Sequence, residues 1–452
     1  MSNGSGQRRS VFGGVLLIVI GALFLAHQFA PRLGIGHLLR LYWPVLLIIW
    51  GLTKLWDNFA AQRTGEKRPP FLTGGEVALL FFLGVIVAGM VGLDWVHQRN
   101  PDIHIPTDLF DHPYVSSEVL PTQPIKPGAP VMISLERGDI TVHPGSSPEI
   151  QVTVHKTAEA SNEREAAEQE KEMAVAIAPA SGGITVQSQK RNENGGGVRV
   201  DLEILVPPQC SVTARTNHGN ILISDMAGKI NATSQNGDLE IHNAGGDVAA
   251  EMHGGDARVI GVHGNLRLSG SGKEIELADV TGDASLQGDF FGPIRVRNVA
   301  KTTHLTSSKT DLTVVQLSGR MESDSGRLEI SDVPGNVSVI TKDKDVALDN
   351  IAGRIHIENQ NGDIDVRFEQ PPREEVSIAN NSGGVDLSLP PKASFEIAAA
   401  SRSGQIESDF DDPALKVVET DENSRLDGKL GTHGPQIRIN TSYGTIRLRK
   451  TT

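Results

Sequence analysis

The chain has 452 residues, which is long enough for two or more folding units. Aromatic residues make up only 4% of it and glycine reaches 48 residues, a composition unlike that of an ordinary mixed globular enzyme. The single cysteine, Cys210, excludes an intrachain disulfide framework and a cysteine-rich metal site. The net charge of −13 is uneven, because residues 1–99 carry nine Lys/Arg against four Asp/Glu. The acidic remainder argues against nucleic acid as a partner, since nucleic-acid binding needs a basic surface.

Three apolar segments predict a helical transmembrane region of three spans within residues 1–97. They run from about 11–29, 41–56 and 77–96, and each approaches the roughly 20 residues that cross a bilayer. Placing the N-terminus in the cytoplasm puts most of the Lys and Arg residues of this region on the inner side. A cleaved signal peptide is the alternative, but two further apolar segments favour a retained anchor.

The second span contains the sequence YWPVLLIIWGLTKL. Two spans joined by a short loop, with this Trp-Pro-apolar-Gly-Leu pattern, resemble the transmembrane module of the LiaI/LiaF-type bacterial envelope-stress proteins over roughly residues 10–60. The resemblance implies a bacterial inner (cytoplasmic) membrane protein. With the N-terminus cytoplasmic, the C-terminal part is expected in the periplasm or outside the cell.

Seven prolines within residues 98–130 predict an extended linker between membrane and domain. Strand-like alternation follows, and it predicts an N-terminal β cap over 131–218. A charged segment from Ser161 interrupts this cap, and it is predicted to be a helix-favouring insert or a hairpin tip.

From Gly219 a half-repeat recurs that reads apolar-x-apolar-x-Asp/Asn-apolar-x-Gly. The period of two within each half predicts a strand with one buried face. Nine residues bury too little alone, so successive copies must stack. The sequence therefore predicts an all-β ectodomain that is a β-solenoid, or β-helix-like, with about 18 residues per coil. The regular repeat is predicted over 219–368 and a C-terminal β cap over 369–452.

Two columns of equivalent positions are predicted to be structural. Asp or Asn before the third apolar residue can hydrogen-bond its own backbone and hold a corner. This turn column contains Asp225, Asn243, Asp279, Asn298, Asp332 and Asn350. The outward position between the first two apolar residues forms a charge ladder, in which neighbouring opposite charges stabilise pairing by roughly 0.2–1 kcal/mol. Its members are Glu240, Arg258, Glu276 and Arg295, with Thr313 and Glu329 expected in the same column.

Pro-Pro pairs at 207–208 and 390–391, the segments NGDLEI and NGDIDV, and the closing TSYGTIRL carry a second resemblance. Together they resemble the bacterial β-strand-repeat domain family of unknown function called "putative adhesin" or Toastrack, over roughly residues 130–450. The resemblance implies a cell-surface or periplasmic β-domain, often fused to membrane modules. It supplies no established catalytic residues.

The sequence shows no strong motif for metal binding or for catalysis. The Gly-Gly-x-Gly-x-Asp nonapeptide of calcium-binding β-rolls, zinc-ligand spacings and nucleophile motifs are all missing from the sequence. We therefore expect no catalytic, cofactor-binding or metal-binding residues, and predict a membrane-anchored protein for binding or scaffolding. Envelope sensing, contact with a regulatory partner, and adhesion stay open as roles, with a protein or an envelope glycan as the possible partner. Stabilisation of a membrane complex also stays open. The rival is a carbohydrate-active β-helix enzyme acting on cell-envelope or external polysaccharide, with Phe290 and Phe291 as the aromatic pair on the repeats.

Overall fold

The computed structural model describes residues 112–160, 162–180, 182–190, 198–420 and 423–451. The three predicted spans, their orientation and the start of the predicted linker lie outside the described residues. Within the described ranges, no helix has the length and apolar character that a bilayer crossing requires. Val115–Thr157 and Glu170–Thr452 form one compact unit, and the described residues at 112–114 and 158–169 belong to another.

The described residues form strands throughout, with one helix. The N-terminal elements are β1 (His112–Val119), β2 (Gln123–Pro124), β3 (Pro130–Arg137), β4 (Ile140–Pro144), β5 (Glu149–Ala160), α1 (Glu163–Glu172), β6 (Met173–Ala180), β7 (Gly183–Lys190) and β8 (Arg199–Val206). The next are β9 (Ser211–His218), β10 (Ile221–Ser224), β11 (Ile230–Asn236), β12 (Leu239–Ala244), β13 (Val248–His253), β14 (Ala257–Val262), β15 (Leu266–Gly272), β16 (Ile275–Val280), β17 (Ala284–Phe290) and β18 (Ile294–Thr306). The C-terminal strands are β19 (Thr310–Ser323), β20 (Arg327–Val333), β21 (Val337–Asp343), β22 (Asp345–Ile351), β23 (Ile355–Asn361), β24 (Ile364–Arg367), β25 (Val376–Ser382), β26 (Val385–Leu389), β27 (Phe395–Ser401), β28 (Ile406–Ser408), β29 (Leu415–Glu419), β30 (Ser424–Leu430), β31 (Gln436–Tyr443) and β32 (Ile446–Lys450).

Helix α1 occupies the charged insert that the sequence predicts to favour a helix. Asn162 precedes its first residue, and the backbone N–H of Glu165 donates a hydrogen bond to Asn162 Oδ1 at 3.0 Å. Asn is a preferred N-cap residue because its side chain satisfies an N–H group that has no partner inside the helix.

Two ladders of parallel strands make up the repeat. Ladder A contains β10, β12, β14 and β16 and, further along the stack, β20, β22, β24, β26 and β32. Ladder B contains β9, β11, β13, β15 and β17 and, further along the stack, β21, β23, β25, β31 and β27. In ladder A, Leu239 pairs with Ala257 and Ala257 pairs with Ile275. Each step along the ladder is 18 residues, which is the repeat length that the sequence predicts.

Alternate residues of both ladders are buried. Ile221 and Ile223 of β10 and Val248 and Ala250 of β13 are each at most 3% exposed, while the residues between them are half-buried or exposed. This is the alternation that the period of two predicts. Burying a Val, Leu or Ile side chain fully contributes roughly 1.5–3 kcal/mol, so the stacked coils supply one another's core.

The corner glycines are required by the stacking of successive coils. At Gly237, φ is 150°. A Cβ there would lie 2.1 Å from the carbonyl oxygen of Gly219 in the neighbouring coil. Gly255 repeats the arrangement one coil later, with φ at 79° and a Cβ position 2.5 Å from the Gly237 carbonyl oxygen. Only glycine allows the backbones to approach so closely.

An antiparallel layer interrupts both ladders within the region 219–368, where the sequence predicts a regular repeat. The first part of β18 pairs in parallel with β16 and its last part pairs in parallel with β17. Strand β19 then returns antiparallel to β18, with Leu305 opposite Leu312 and Val296 opposite Met321. It is also antiparallel to β20 and β21, after which parallel pairing resumes through β22 to β26.

Both reversals in this layer are tight turns. The backbone N–H of Ser307 donates to the Thr310 carbonyl at 2.8 Å, and that of Asp324 donates to the Arg327 carbonyl at 2.9 Å. Asp324 Oδ1 also accepts the N–H groups of Gly326 and Arg327. The Asp-Ser-Gly sequence therefore forms the turn that sends the chain into β20.

The two ends of the repeat do not follow chain order. Strand β31 lies between β25 and β27, and β32 lies between β26 and β28. At the other end, β3 lies between β7 and β9. The structure also differs from the predicted linker over 98–130, because Gln123 of β2 pairs with Ile150 of β5. Ile125 is buried there, which anchors this part of the chain to the domain.

Candidate functional site

A groove of about 890 Å³ lies on the outward face of ladder B near its C-terminal end. It runs along the stacking direction between two columns of outward side chains. The first column contains Ile340, Glu358, Ala379, Asn440, Ala400 and Arg425. The second contains Lys342, Gln360, Asn381, Ser442 and Arg402.

The floor of the groove is paired backbone. Strands β21, β23, β25, β31 and β27 form consecutive parallel pairs beneath it. Their N–H and C=O groups are engaged in the ladder, so the groove offers a ligand mainly side chains.

Buried polar side chains lie on the other side of this floor and bond the coil corners. Asn359 Nδ2 donates to the Lys344 carbonyl at 2.9 Å, and Asn380 Nδ2 donates to the Gly362 carbonyl at 2.9 Å. Ser401 Oγ donates to the Gly444 carbonyl at 2.9 Å. These contacts satisfy carbonyl groups that the corner leaves unpaired, which is a structural task.

The cations around the groove differ in their partners. Arg425 contacts Asp427, and this side-chain hydrogen bond raises the pKa of Arg425. Lys309 lies 3.7 Å from Asp343. Lys342 donates to the Ser308 carbonyl at 3.2 Å, and no carboxylate of the described residues forms an ion pair with it.

The predicted turn column lies at one corner between the two ladders. All six residues have left-handed backbone conformations, with φ between 53° and 58°. The structure brings them together in pairs, through hydrogen bonds between side chains of neighbouring coils. Asn243 Nδ2 donates to Asp225 Oδ1 at 2.9 Å, Asn298 Nδ2 to Asp279 Oδ1 at 2.6 Å, and Asn350 Nδ2 to Asp332 Oδ1 at 2.8 Å.

Two residues at this corner were missed from the sequence. Gly261, with φ of 75°, takes the place between Asn243 and Asp279, so those two lie two coils apart. Gln316, with φ of 58°, turns the corner in β19. Gln316 carries no turn signature, because Asn, Asp and Gly are the residues that favour this conformation.

The predicted charge ladder is in register, but only part of it forms ion pairs. Glu240, Arg258, Glu276 and Arg295 are consecutive partners in ladder A. Arg258 lies 3.2 Å from Glu276, whereas Glu240 contacts His242 at 2.7 Å. Arg295 contacts Glu322 at 3.2 Å.

Beyond Arg295 the predicted order of residues in the outward column is wrong. Thr313 lies in ladder B opposite His304, and Glu322 takes the expected place next to Arg295. Glu329 follows opposite Glu322, as a like-charge neighbour. The antiparallel layer is the reason, because it reverses the order in which β19 crosses the ladders.

Comparison with known proteins identifies the family. Residues 131–449 match the Toastrack DUF4097 family, which is more than half of the chain. The chain belongs to the Toastrack family. Residues 11–55 match the LiaI-LiaF-like transmembrane region, and no curated protein matches the chain.

Two solved structures are similar to parts of this Toastrack chain. One is described as a "putative cell adhesion protein" from Clostridium sporogenes, with 8% identity and a TM-score of 0.19 over 75% of this chain and 100% of the other. The second is described as a "putative adhesin" from Bacteroides fragilis, with 9% identity and a TM-score of 0.20 over 74% of this chain and 97% of the other.

A second set of side chains ties the coils of the Toastrack domain together. Asn220 Oδ1 accepts the N–H of Asp238 at 2.8 Å, and Asp238 Oδ1 accepts the N–H of Asp256 at 2.9 Å. At the opposite corner Asp247 Oδ1 accepts the N–H of Asn265 at 3.0 Å, a bond that lowers the pKa of Asp247. Each of these residues follows a corner glycine. The repeated Gly-Asp and Gly-Asn dipeptides are therefore the sequence pattern from which these hydrogen bonds could have been predicted.

The Toastrack domain also contains a like-charge pair on ladder A. Asp365 and Asp386 are partners on adjacent strands, and burial raises the pKa of Asp365, with Asp386 adding to the rise. Asp386 lies 3.5 Å from Arg447 and 3.7 Å from Arg449. This pair of carboxyl groups lies on the other ladder from the groove. No group of three His, Cys, Asp or Glu in the described part of the chain is placed to hold a metal ion.

Proposed function

We propose that this protein is a membrane-anchored, non-catalytic binding or scaffolding protein of the bacterial envelope. The observation that carries the proposal is the order of two family matches in one chain, a LiaI-LiaF-like transmembrane region at 11–55 followed by a Toastrack domain at 131–449. In this proposal three N-terminal helices anchor the protein in the inner membrane. The repeat is a β-solenoid of about 18 residues per coil that stands outside the membrane and presents its surface to a ligand.

The proposed topology puts the N-terminus in the cytoplasm and the β-domain in the periplasm or outside the cell. It is supported by the excess of Lys and Arg in the segments that would lie inside. In such a position the domain fits three roles, which are envelope sensing, contact with a regulatory protein partner, and adhesion.

An exposed strand edge supports contact with a protein partner. Strand β29 pairs with β30, and no second partner strand is found for it in the described ranges. Val417 and Val418 on this strand are 42% and 57% exposed. An unpaired edge with apolar side chains can accept a strand from another chain.

The experiment combines topology and partner capture in the native membrane. Full-length protein is labelled at single introduced cysteines at Ser2 and Ser403 with a membrane-impermeant thiol reagent, in a Cys210→Ser background, before and after cell lysis. We expect Ser403→Cys to react in intact cells or spheroplasts and Ser2→Cys only after lysis. Crosslinking in the same membranes should then capture a partner that a variant lacking 131–449 loses. Labelling of position 403 only after lysis would contradict the proposal.

A carbohydrate-active enzyme is the second candidate, and the Asp365–Asp386 pair is the observation that favours it. A raised pKa on a carboxyl beside a second carboxylate is a feature of general acids. A sugar-binding enzyme usually has aromatic side chains in its groove on which sugars stack. Here Phe291 is 81% exposed on the surface, and the groove has no aromatic lining residue. Shortening of a polysaccharide by the full-length protein, abolished by Asp365→Asn, would favour the enzyme.

A further inference from the structure

The lining of the groove on ladder B contains four Lys or Arg side chains and two carboxylates, Asp311 and Glu358, in a protein whose net charge is −13. Lys342 and Arg402 stand in the same outward column, both exposed to solvent. Within the described ranges, neither forms an ion pair with a carboxylate, unlike Arg258, Arg295, Arg297, Arg327, Arg425 and Arg447. Two unpaired cations along one groove offer charge complementarity to an anionic ligand.

The side chains between these two cations are neutral hydrogen-bonding groups. Gln360, Asn381 and Ser442 occupy the three intervening positions of the column. With strands about 4.8 Å apart, Lys342 and Arg402 are separated by roughly 19 Å along the groove. Amide and hydroxyl side chains both donate and accept hydrogen bonds, which suits a ligand rich in hydroxyl groups over that length.

The floor argues against an extended peptide as the occupant. A peptide that adds to a sheet needs free N–H and C=O groups along a strand edge. Strand β23 is paired on both sides, with β21 and β25, and β31 is paired with β25 and β27. Recognition in this groove therefore depends on side chains, and a linear polymer that carries its own hydroxyl and acidic groups fits it best.

We propose that the groove binds a linear anionic polysaccharide, with acidic groups of the polymer at Lys342 and Arg402 and hydroxyl groups at Gln360 and Asn381. This inference rests on the proposed binding function and names its ligand class. The Arg402 guanidinium supplies paired donors that match a carboxylate, and Lys342 supplies a point charge at the other end.

The test measures binding of three probes to the full-length protein in zwitterionic detergent at one fixed salt concentration. The probes are polygalacturonate, neutral dextran and polyglutamate. The variant is the double substitution Lys342→Gln and Arg402→Gln. The matched control is Arg267→Gln with Lys392→Gln, which removes the same charge at exposed positions outside the groove.

We expect wild type to bind polygalacturonate at least tenfold more tightly than dextran or polyglutamate. The groove variant should lose about tenfold or more of this affinity, and the control should keep it. Equal binding of polyglutamate, equal loss in both variants, or no binding of polygalacturonate would overturn the proposal. The chain length of the bound polymer is measured in the same samples, because its shortening would refute the non-catalytic function while leaving groove binding intact.

Discussion

Gly237 lies against Gly219 of the neighbouring coil so closely that a Cβ on Gly237 would come within 2.1 Å of the Gly219 carbonyl oxygen. The same contact links Gly255 to Gly237. The spacing of these glycines therefore follows from the stacking of coils at least as much as from the turn within each coil. A side chain at one of these positions must push two coils apart.

Gly237→Ala is expected to destabilise the domain by about 2–4 kcal/mol, from steric overlap and an unfavourable backbone conformation together. Urea unfolding of the full-length protein in detergent, followed by far-UV circular dichroism, measures the change. Gly326→Ala is the matched control, because a Cβ at Gly326 meets nothing within 4 Å. Equal midpoints for the two variants would show that coil contact is not what requires glycine at 237.

The sequence was sufficient to predict the parallel ladders, because period and burial repeat together. Ile221, Leu239 and Ala257 follow one another at the interval that the ladder requires. The antiparallel layer could not be predicted in this way. Leu312 and Val314 alternate like any other inward pair, and apolar alternation is the same for a strand of either direction. The Asp-Ser-Gly sequence at 324–326 was the local indication of a reversal.

Two substitutions of Asn243 separate the contributions of its left-handed conformation and its side-chain hydrogen bond to the stability of the turn column. Asn243→Ala loses the hydrogen bond to Asp225. It also puts alanine, which disfavours the left-handed conformation more than asparagine does, at a position where φ is 53°. We expect a loss of about 1–2 kcal/mol. Asn243→Gly loses only the bond, so its loss should be smaller. A larger loss for glycine than for alanine, in the same urea experiment, would contradict this account of the corner.

The groove was not predictable from the sequence for a different reason. Its residues come from β19 and the turn before it and from β21, β23, β25, β27, β30 and β31, and their order along the groove differs from their order along the chain. Ser442 of β31 lies between Asn381 and Arg402 only because β31 inserts between β25 and β27. A repeat pattern read along the chain would have placed β27 next to β25.

The charge ladder is expected to contribute little to stability despite its regular register. Arg258 and Glu276 lie 3.2 Å apart at partly exposed positions, and exposed pairs of this kind contribute about 0.2–1 kcal/mol. A double-mutant cycle with Arg258→Gln and Glu276→Gln should give a coupling in that range. The coupling should fall as salt rises from 0.05 to about 0.5 M, because screening shortens the reach of exposed charges. A salt-independent coupling above that range would contradict a surface role.

Asp324 should make part of the stability acid-sensitive. Hydrogen bonds from the backbone N–H groups of Gly326 and Arg327 lower the pKa of this carboxyl, helped by the nearby Lys344. A lowered pKa in the folded state means that the ionised carboxylate stabilises the fold fully above the unfolded value of about 3.9. The contribution is then lost as pH falls through the folded pKa.

Asp324→Asn retains an oxygen that can accept the turn hydrogen bonds and removes the charge, so it isolates this effect. We expect it to lower the free energy of unfolding, measured in urea at pH 6, by less than about 1 kcal/mol, because the carboxylate is near solvent. The difference from wild type should shrink as the pH approaches 3. Asp411→Asn, at an exposed position where no hydrogen bond from the described residues reaches the side chain, should follow wild type at both pH values. A difference that grows on acidification would mean that the turn stabilises the fold through its neutral form.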